Sequence, residues 1–119
     1  MNEELIQMVR DYDLVNRTIG NAKKHIQKLQ EDASKNREFL EYLLRCGFEE
    51  DFEKSISKIE FKVNKIRYEI RMNEEDLEAV LVALNLETYD EDDKAHFQLF
   101  VYSACYSKEG DFIDDFLDW

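Results

Sequence analysis

Almost nothing in this chain obliges a helix to stop, because proline is absent and glycine occurs only at Gly20, Gly47 and Gly110. Proline removes a helix hydrogen bond and clashes with the preceding turn, and an interior glycine costs a helix about 1 kcal/mol, so a chain nearly free of both can run in long helices. The apolar spacing points the same way. From Leu5 the series continues through Met8, Tyr12, Val15, Ile19, Ala22, Ile26, Leu29, Ala33, Leu40 and Leu43 in alternating steps of three and four, with Asn36 as its polar member. A second series runs through Phe52, Ile56, Ile59, Val63, Ile66, Ile70, Leu77, Val80 and Leu84, with Asn73 as its polar member. Such steps, sustained over this length, describe a coiled-coil seam.

The expected fold class is therefore all-α: a long antiparallel coiled-coil helical hairpin with one or two shorter C-terminal helices packed on its open end. As a single domain over 1–119, it would have helix one at 1–46, helix two at 49–86 and acidic C-terminal helices at 88–119. Gly47 supplies a left-handed stop, and Glu49, Glu50 and Asp51 suit the positive end of the helix that follows. Folding back sets Ala33 against Ile59, Ile26 against Ile66 and Val15 against Leu77, while Asn36 and Asn73 serve to fix register or find partners on another helix. Thr88 to Glu91 has the form of a capping box, Gly110 ends the next helix, and Asp111 caps a last short one. No stretch shows clear strand alternation, although the aromatic run Leu99 to Tyr106 keeps a short strand as the lesser alternative.

Ala79 to Leu86 is apolar on nearly every side and requires cover, which the C-terminal helices would provide at the open end. Near the turn, Phe39, Tyr42, Leu44 and Phe48 lie off the seam, which assigns them as contacts with a second copy in a homodimer.

At 119 residues the chain suits one domain, and with 44% hydrophobic and 37% charged residues it is too apolar to stay disordered and too charged for a membrane protein. The start Met1-Asn-Glu-Glu has no basic flank ahead of an apolar run, and no apolar segment approaches the roughly 20 residues of a membrane span, so a cytoplasmic location and no membrane partner are expected. Cys46 and Cys105 lie far apart without C-x-x-C spacing, which predicts two reduced thiols rather than a zinc site or a disulfide framework.

Charge is distributed unevenly. Residues 1–47 hold 8 basic against 8 acidic residues and 48–71 hold 6 against 6, whereas 72–119 hold 2 against 14 and so contain the whole net charge of −12. Phosphate repulsion opposes direct nucleic-acid binding by this third, and no basic stripe elsewhere compensates. The sequence points instead to a non-catalytic protein–protein interaction module, a regulator, adaptor or inhibitor, that meets another protein with a basic surface. Its acidic surface would comprise Glu74, Glu75, Asp76, Glu78, Asp90, Asp92, Asp93, Asp111, Asp114, Asp115 and Asp118, with Phe112, Phe116 and Trp119 as apolar anchors. The alternative is an acidic nucleic-acid mimic that blocks a DNA- or RNA-binding protein, in the manner of phage or mobile-element anti-defence proteins.

Chemistry is sparse. The chain has no Gly-rich phosphate loop, no G-x-S-x-G and no H-E-x-x-H, so no cofactor and no enzyme activity are expected. A metal-dependent helical enzyme built on Asp93, His96 and the neighbouring acids ranks last, since neither seam carries the inward carboxylates such a site needs. Asp90 to Asp93 lacks the glycine of a calcium loop and reads as helix-start acidity.

Overall fold

Isoleucine, valine, phenylalanine and tyrosine dominate 59–70, residue types that suit a pleated surface, and in the computed structural model of the protein this stretch is a strand. The structure describes residues 3–45, 52–72, 77–90 and 95–118, of which 52, 89, 90 and 95–99 for their backbone only. Four helices come first: α1 (Glu3–Asp11), α2 (Leu14–Ala33), α3 (Arg37–Arg45) and the short α4 (Phe52–Lys58). Four strands follow: β1 (Ile59–Arg71), β2 (Leu77–Asp90), β3 (Ala95–Ser107) and β4 (Phe112–Asp118). They form one antiparallel meander in the order β1-β2-β3-β4. The helices cover one face of it, and the shortest dimension of 20 Å is what one helix layer on one sheet occupies.

The all-α coiled-coil hairpin is thus overturned, and the reason is specific. β1 pairs with β2 through Ile59 opposite Thr88, Phe61 opposite Leu86, Val63 opposite Leu84, Ile66 opposite Val82 and Tyr68 opposite Val80, with one extra residue, Asn64, at a bulge between Val63 and Lys65. A strand puts every second residue on one face, and a bulge adds one. Ile59, Val63, Ile66 and Ile70 are therefore separated by four, three and four, the same spacing as a heptad. The helix-two assignment at 49–86 holds only over α4 and fails from Ile59 onward for this reason. Helices assigned to 88–119 are replaced by β3 and β4, so the lesser alternative of a strand over Leu99 to Tyr106 is the correct one. Thr88 is a buried strand residue between Ile59 and Phe97, not a helix cap.

Residues 3–45, within the range expected for helix one, are helical over much of their length but not one helix. Asp13 takes a left-handed conformation (φ 52°) between α1 and α2, and the chain breaks again at Ser34 to Asn36. Asn36 is no seam residue. Its side-chain oxygen accepts the Phe39 backbone N–H at 3.2 Å and starts α3. The break at Asp13 turns the apolar stripe, so Val9 and Leu14 are buried while the seam position Tyr12 is 41% exposed. Thereafter Ala22, Ile26 and Ala33 are buried and Ile19 and Leu29 partly so, with the sheet rather than a second helix opposite them.

Both faces of β2 are apolar. Val80, Val82, Leu84 and Leu86 join Phe100, Tyr102, Ala104 and Tyr106 of β3 beneath the helices, while Leu81 and Ala83 join Cys105, Val101 and Ile113 on the outer face. This accounts for the all-round apolar character of Ala79 to Leu86, which needs no C-terminal helix to cover it. The β3–β4 turn ends at Gly110, as the glycine suggests, but it joins strands: Ser107 and Asp111 exchange backbone and hydroxyl hydrogen bonds across it, so Asp111 caps no helix. The Cys46 and Gly47 turn, Phe48 and the acidic cluster Glu49 to Asp51 lie outside the described residues. Among those that are described, no helix is long and apolar enough to cross a membrane.

Two glycines make opposite demands. Gly110 has φ +83°, and a Cβ there would lie 2.5 Å from the Tyr12 ring, whereas a Cβ on Gly20 meets nothing within 4 Å. Gly110→Ala is expected to lower stability by about 1–3 kcal/mol and Gly20→Ala to raise it by about 0.5–1 kcal/mol. Urea midpoints of the two variants check both signs.

Candidate functional site

β4 is an edge strand that reads Phe-Ile-Asp-Asp-Phe-Leu-Asp, and the strand period distributes its acids between two faces. Asp114 and Asp118 lie opposite Cys105 and Val101, so they belong with Phe116 to the outer face, while Asp115 lies opposite Ala104 and points under the helices. Ile113 is the extra residue at a bulge, which lets it pack on the outer cluster beside Asp114.

On the outer face Asp114 is held by a residue from the far edge of the sheet. The Arg71 guanidinium donates to both carboxylate oxygens at 2.8 and 2.9 Å. A twisted sheet is saddle-shaped, so along one diagonal each face is concave, and a long side chain can bridge strands that are not neighbours. Glu69 lies 3.8 Å from Arg71 and 2.6 Å from Arg67, which completes a chain of charges over the small residues of β2 and β3. The Asp114 carboxylate raises the Arg71 pKa, and Arg71 in turn holds Asp114 below the usual carboxylate range. Beneath them Cys105 is fully buried, and burial pushes its thiol up to about 11. It is a thiol, not a thiolate, at neutral pH, and so a poor nucleophile.

Under the helices Asp115 is the centre of a second polar group. It accepts from Tyr102 Oη at 2.6 Å and bonds His25 Nε2 at 2.6 Å, with the two rings 5.1 Å apart. Burial above all, then the Asp115 contact, raises the Tyr102 phenol well above its ordinary range. Two turns of α2 away, Thr18 Oγ1 and Tyr106 Oη share a hydrogen bond at 2.8 Å, and Arg17 lies over the Tyr106 ring while donating to the Gly110 carbonyl at 2.7 Å. These contacts fasten α2 to β3 and to the turn before β4. A histidine, a carboxylate and a phenol are thus joined to one another between α2 and the sheet, the geometry of a tie between layers. Among the described residues no group of three or more His, Cys, Asp and Glu side chains is placed to hold a metal ion.

The residues expected to make an acidic surface are thus divided. Glu78 pairs with Lys108 and with the Tyr68 hydroxyl, and the Lys108 contact lowers its pKa. Asp114 and Asp115 are engaged as above, and Asp111 and Asp118 are exposed. Asp90 ends β2, opposite Ala95, and His96 lies in β3 opposite Tyr89. Glu74, Glu75, Asp76, Asp92, Asp93, Phe48 and Trp119 lie outside the described residues. Phe112 and Phe116 are 47% and 48% exposed, and Phe112 meets the Tyr106 ring edge-on. At the other end of the helical layer, Phe39 packs against the core, while Tyr42 and Leu44 are exposed. Sequence reasoning missed Arg71, Tyr102 and the role of His25. Reading β4 with period two would have separated Asp115 from Asp114 and Asp118.

Comparison with known proteins adds no relative: no family model, no curated protein and no solved structure matches the chain.

Removing Asp115 strands two donors at once, whereas removing the Tyr102 hydroxyl leaves Asp115 with His25. Asp115→Ala is expected to cost about 2 kcal/mol or more and Tyr102→Phe about 1 kcal/mol, read from urea midpoints. Alkaline stability follows from the raised acids. Cys105 has a folded value of about 11 against 9.0, and Tyr102 and Tyr106 are raised from 10.0, so all three bind their protons more tightly when folded. The Cys105 contribution is complete below pH 9 and is lost as pH rises through 9 to 11, and that of the two tyrosines starts to fall only above pH 10. Chemical denaturation at stepped pH should show stability flat up to pH 9 and falling above it, less steeply for Cys105→Ala.

Proposed function

We propose that the protein is a non-catalytic interaction module, a regulator, adaptor or inhibitor, that engages another protein along β4. One observation carries this reading: β4 ends the sheet and carries two phenylalanines, each about half exposed, Phe116 on the outer face between the exposed Asp114 and Asp118 and Phe112 on the helix side of the bulge. Among the described residues no strand pairs with its outer edge. An unpaired edge offers backbone donors and acceptors to an added strand, apolar side chains on alternate positions give it grip, and carboxylates select a partner with basic residues. Self-pairing of two β4 strands would oppose like charges, so the occupant is a different protein, or a basic segment of one.

The nucleic-acid mimic receives less support. A mimic presents an array of free carboxylates, whereas Glu78, Asp114 and Asp115 are each engaged by a donor within the chain. Self-association through Tyr42 and Leu44 of α3 remains a separate proposal, read by sedimentation of the purified protein.

Affinity capture from a lysate at low and high salt tests the β4 reading. The comparison sets wild type beside Phe116→Ala and beside a double variant, Asp111→Asn with Asp118→Asn; Asp115 is left intact because it supports the fold. Capture is expected to fall in both variants, and wild-type capture to fall at high salt as exposed charges are screened. Equal capture by all three proteins at both salts would overturn it.

A further inference from the structure

β1 is the other edge of the sheet, and among the described residues no strand pairs with its outer side. Beyond the bulge at Asn64, Lys65 to Arg71 is a regular run that alternates between the two faces. Lys65, Arg67, Glu69 and Arg71 lie on the outer face, opposite Ala83, Leu81, Ala79 and Leu77, while Ile66, Tyr68 and Ile70 lie on the helix side. The helices leave this margin open: Tyr68 is 41% exposed and Ile70 54% exposed. The Tyr68 hydroxyl is tied back to Glu78 and Lys108, so it is the ring that faces water. An edge that offers both backbone groups and apolar side chains is a template for another strand, and the residues along it decide which strand fits.

This run fits a copy of itself. Two identical strands can pair antiparallel about a two-fold axis normal to the sheet, which sets each residue opposite one of the same face. Centred on Tyr68, the pairing uses the whole run from Lys65 to Arg71. Tyr68 meets Tyr68, Ile66 meets Ile70 on either side of it, and Arg67 meets Glu69 on the outer face. Each copy already holds Arg67 to Glu69 at 2.6 and 2.8 Å, so the four side chains would form one ring of alternating sign. The one unfavourable pair, Lys65 with Arg71, falls at the two ends, where Asp114 already accepts from the Arg71 guanidinium through both oxygens. Other registers fail on charge or length. Centred on Arg67 or Glu69, the pairing sets that residue against itself, and centred on Ile66 it sets Lys65 against Arg67. Like charges directly opposite are destabilising. Centred on Ile70, only Glu69 to Arg71 remain paired within the run.

We propose that two copies of the protein pair through β1, antiparallel and centred on Tyr68, into a closed dimer whose single sheet takes four strands from each copy. The aromatic and aliphatic cross-strand pairs cover the half-exposed side chains of this margin, and the Arg67–Glu69 ring sets the register. The symmetry uses up β1 in both copies, so the assembly closes at two. β4 stays open in it, and the dimer does not depend on the partner proposed for that strand.

One short strand pair is a small interface, so the association is weak and is read by sedimentation equilibrium at concentrations up to about 1 mM. Sedimentation alone does not tell this contact from one through α3; the variants do. Arg67→Glu opposes carboxylates on both sides of the axis and should weaken the dimer at least about ten-fold, and adding Glu69→Arg should bring it back to within about three-fold of wild type. Tyr68→Cys, in a Cys46→Ser background, sets a thiol opposite its own copy with Cα atoms about 4.5–5.5 Å apart, within reach of a disulfide. Mild oxidation should join that variant into covalent dimers and leave Arg67→Cys, in the same background, largely unjoined, because its two copies lie on a diagonal. A chain that stays monomeric at about 1 mM overturns the proposal. So does a dimer that Arg67→Glu leaves unchanged or that Glu69→Arg fails to recover, or equal cross-linking of the two cysteine variants.

Discussion

Strand β2 must be covered on both sides, and the rest of the architecture answers that requirement. Ala79 to Leu86 has no polar face to give to water, so a helix layer on one side of the sheet meets only half the need. Leu81, Ala83 and Cys105 on the other side are sealed by what the neighbouring strands can reach across them: Ile113 from a bulge, Val101, and the Arg71 side chain stretched to Asp114. The twist of the sheet makes that reach possible. A flat sheet of these four strands would leave the outer cluster wet.

The two polar groups anchored on β4 divide the work between layers. Asp114 ties the last strand to the first across the outer face, and Asp115, its neighbour in sequence, ties the same strand to α2 through His25 and Tyr102. Adjacent residues of a strand point to opposite faces, so a pair of consecutive acids is an economical way to fasten an edge strand from both sides. Part of the acidity of the C-terminal third is therefore structural. Among the described residues, Asp111 and Asp118 are exposed acids at the two ends of β4, with the half-exposed phenylalanines between them.

How much of this was legible in the sequence differs by element. The buried stripe of α2 could be read from spacing, and so could the stop at Gly110, because helical periodicity and a left-handed glycine are local properties. β1 could not, since its bulge at Asn64 converts the strand period into the four-three-four step of a heptad, and spacing carries no information about which backbone produces it. Residue type did carry some: Ile, Phe, Val and Tyr crowd β1, and the all-round apolar run of β2 is what a strand covered on both faces looks like. For the site, the clustering of acids was visible, but their partners were not. Arg71 lies 43 residues from Asp114 and His25 lies 90 from Asp115, separations at which pairing is set by tertiary packing alone.

The bulge in β1 has a bearing on what happens between copies of the protein. β1 carries Lys62, Lys65, Arg67 and Arg71 against Glu60 and Glu69, and β4 carries the exposed Asp118 beside the engaged Asp114 and Asp115, so the two margins of the sheet differ in charge, and copies joined margin to margin would make an open-ended filament with no symmetry to close it. At Asn64 the spacing of backbone groups along β1 is broken, and its side chain is turned to Asn85 on the strand behind. An incoming strand can match the register on one side of that residue or on the other, but not across it, so an irregularity that disguises β1 in the sequence also interrupts runaway stacking of one sheet on the next.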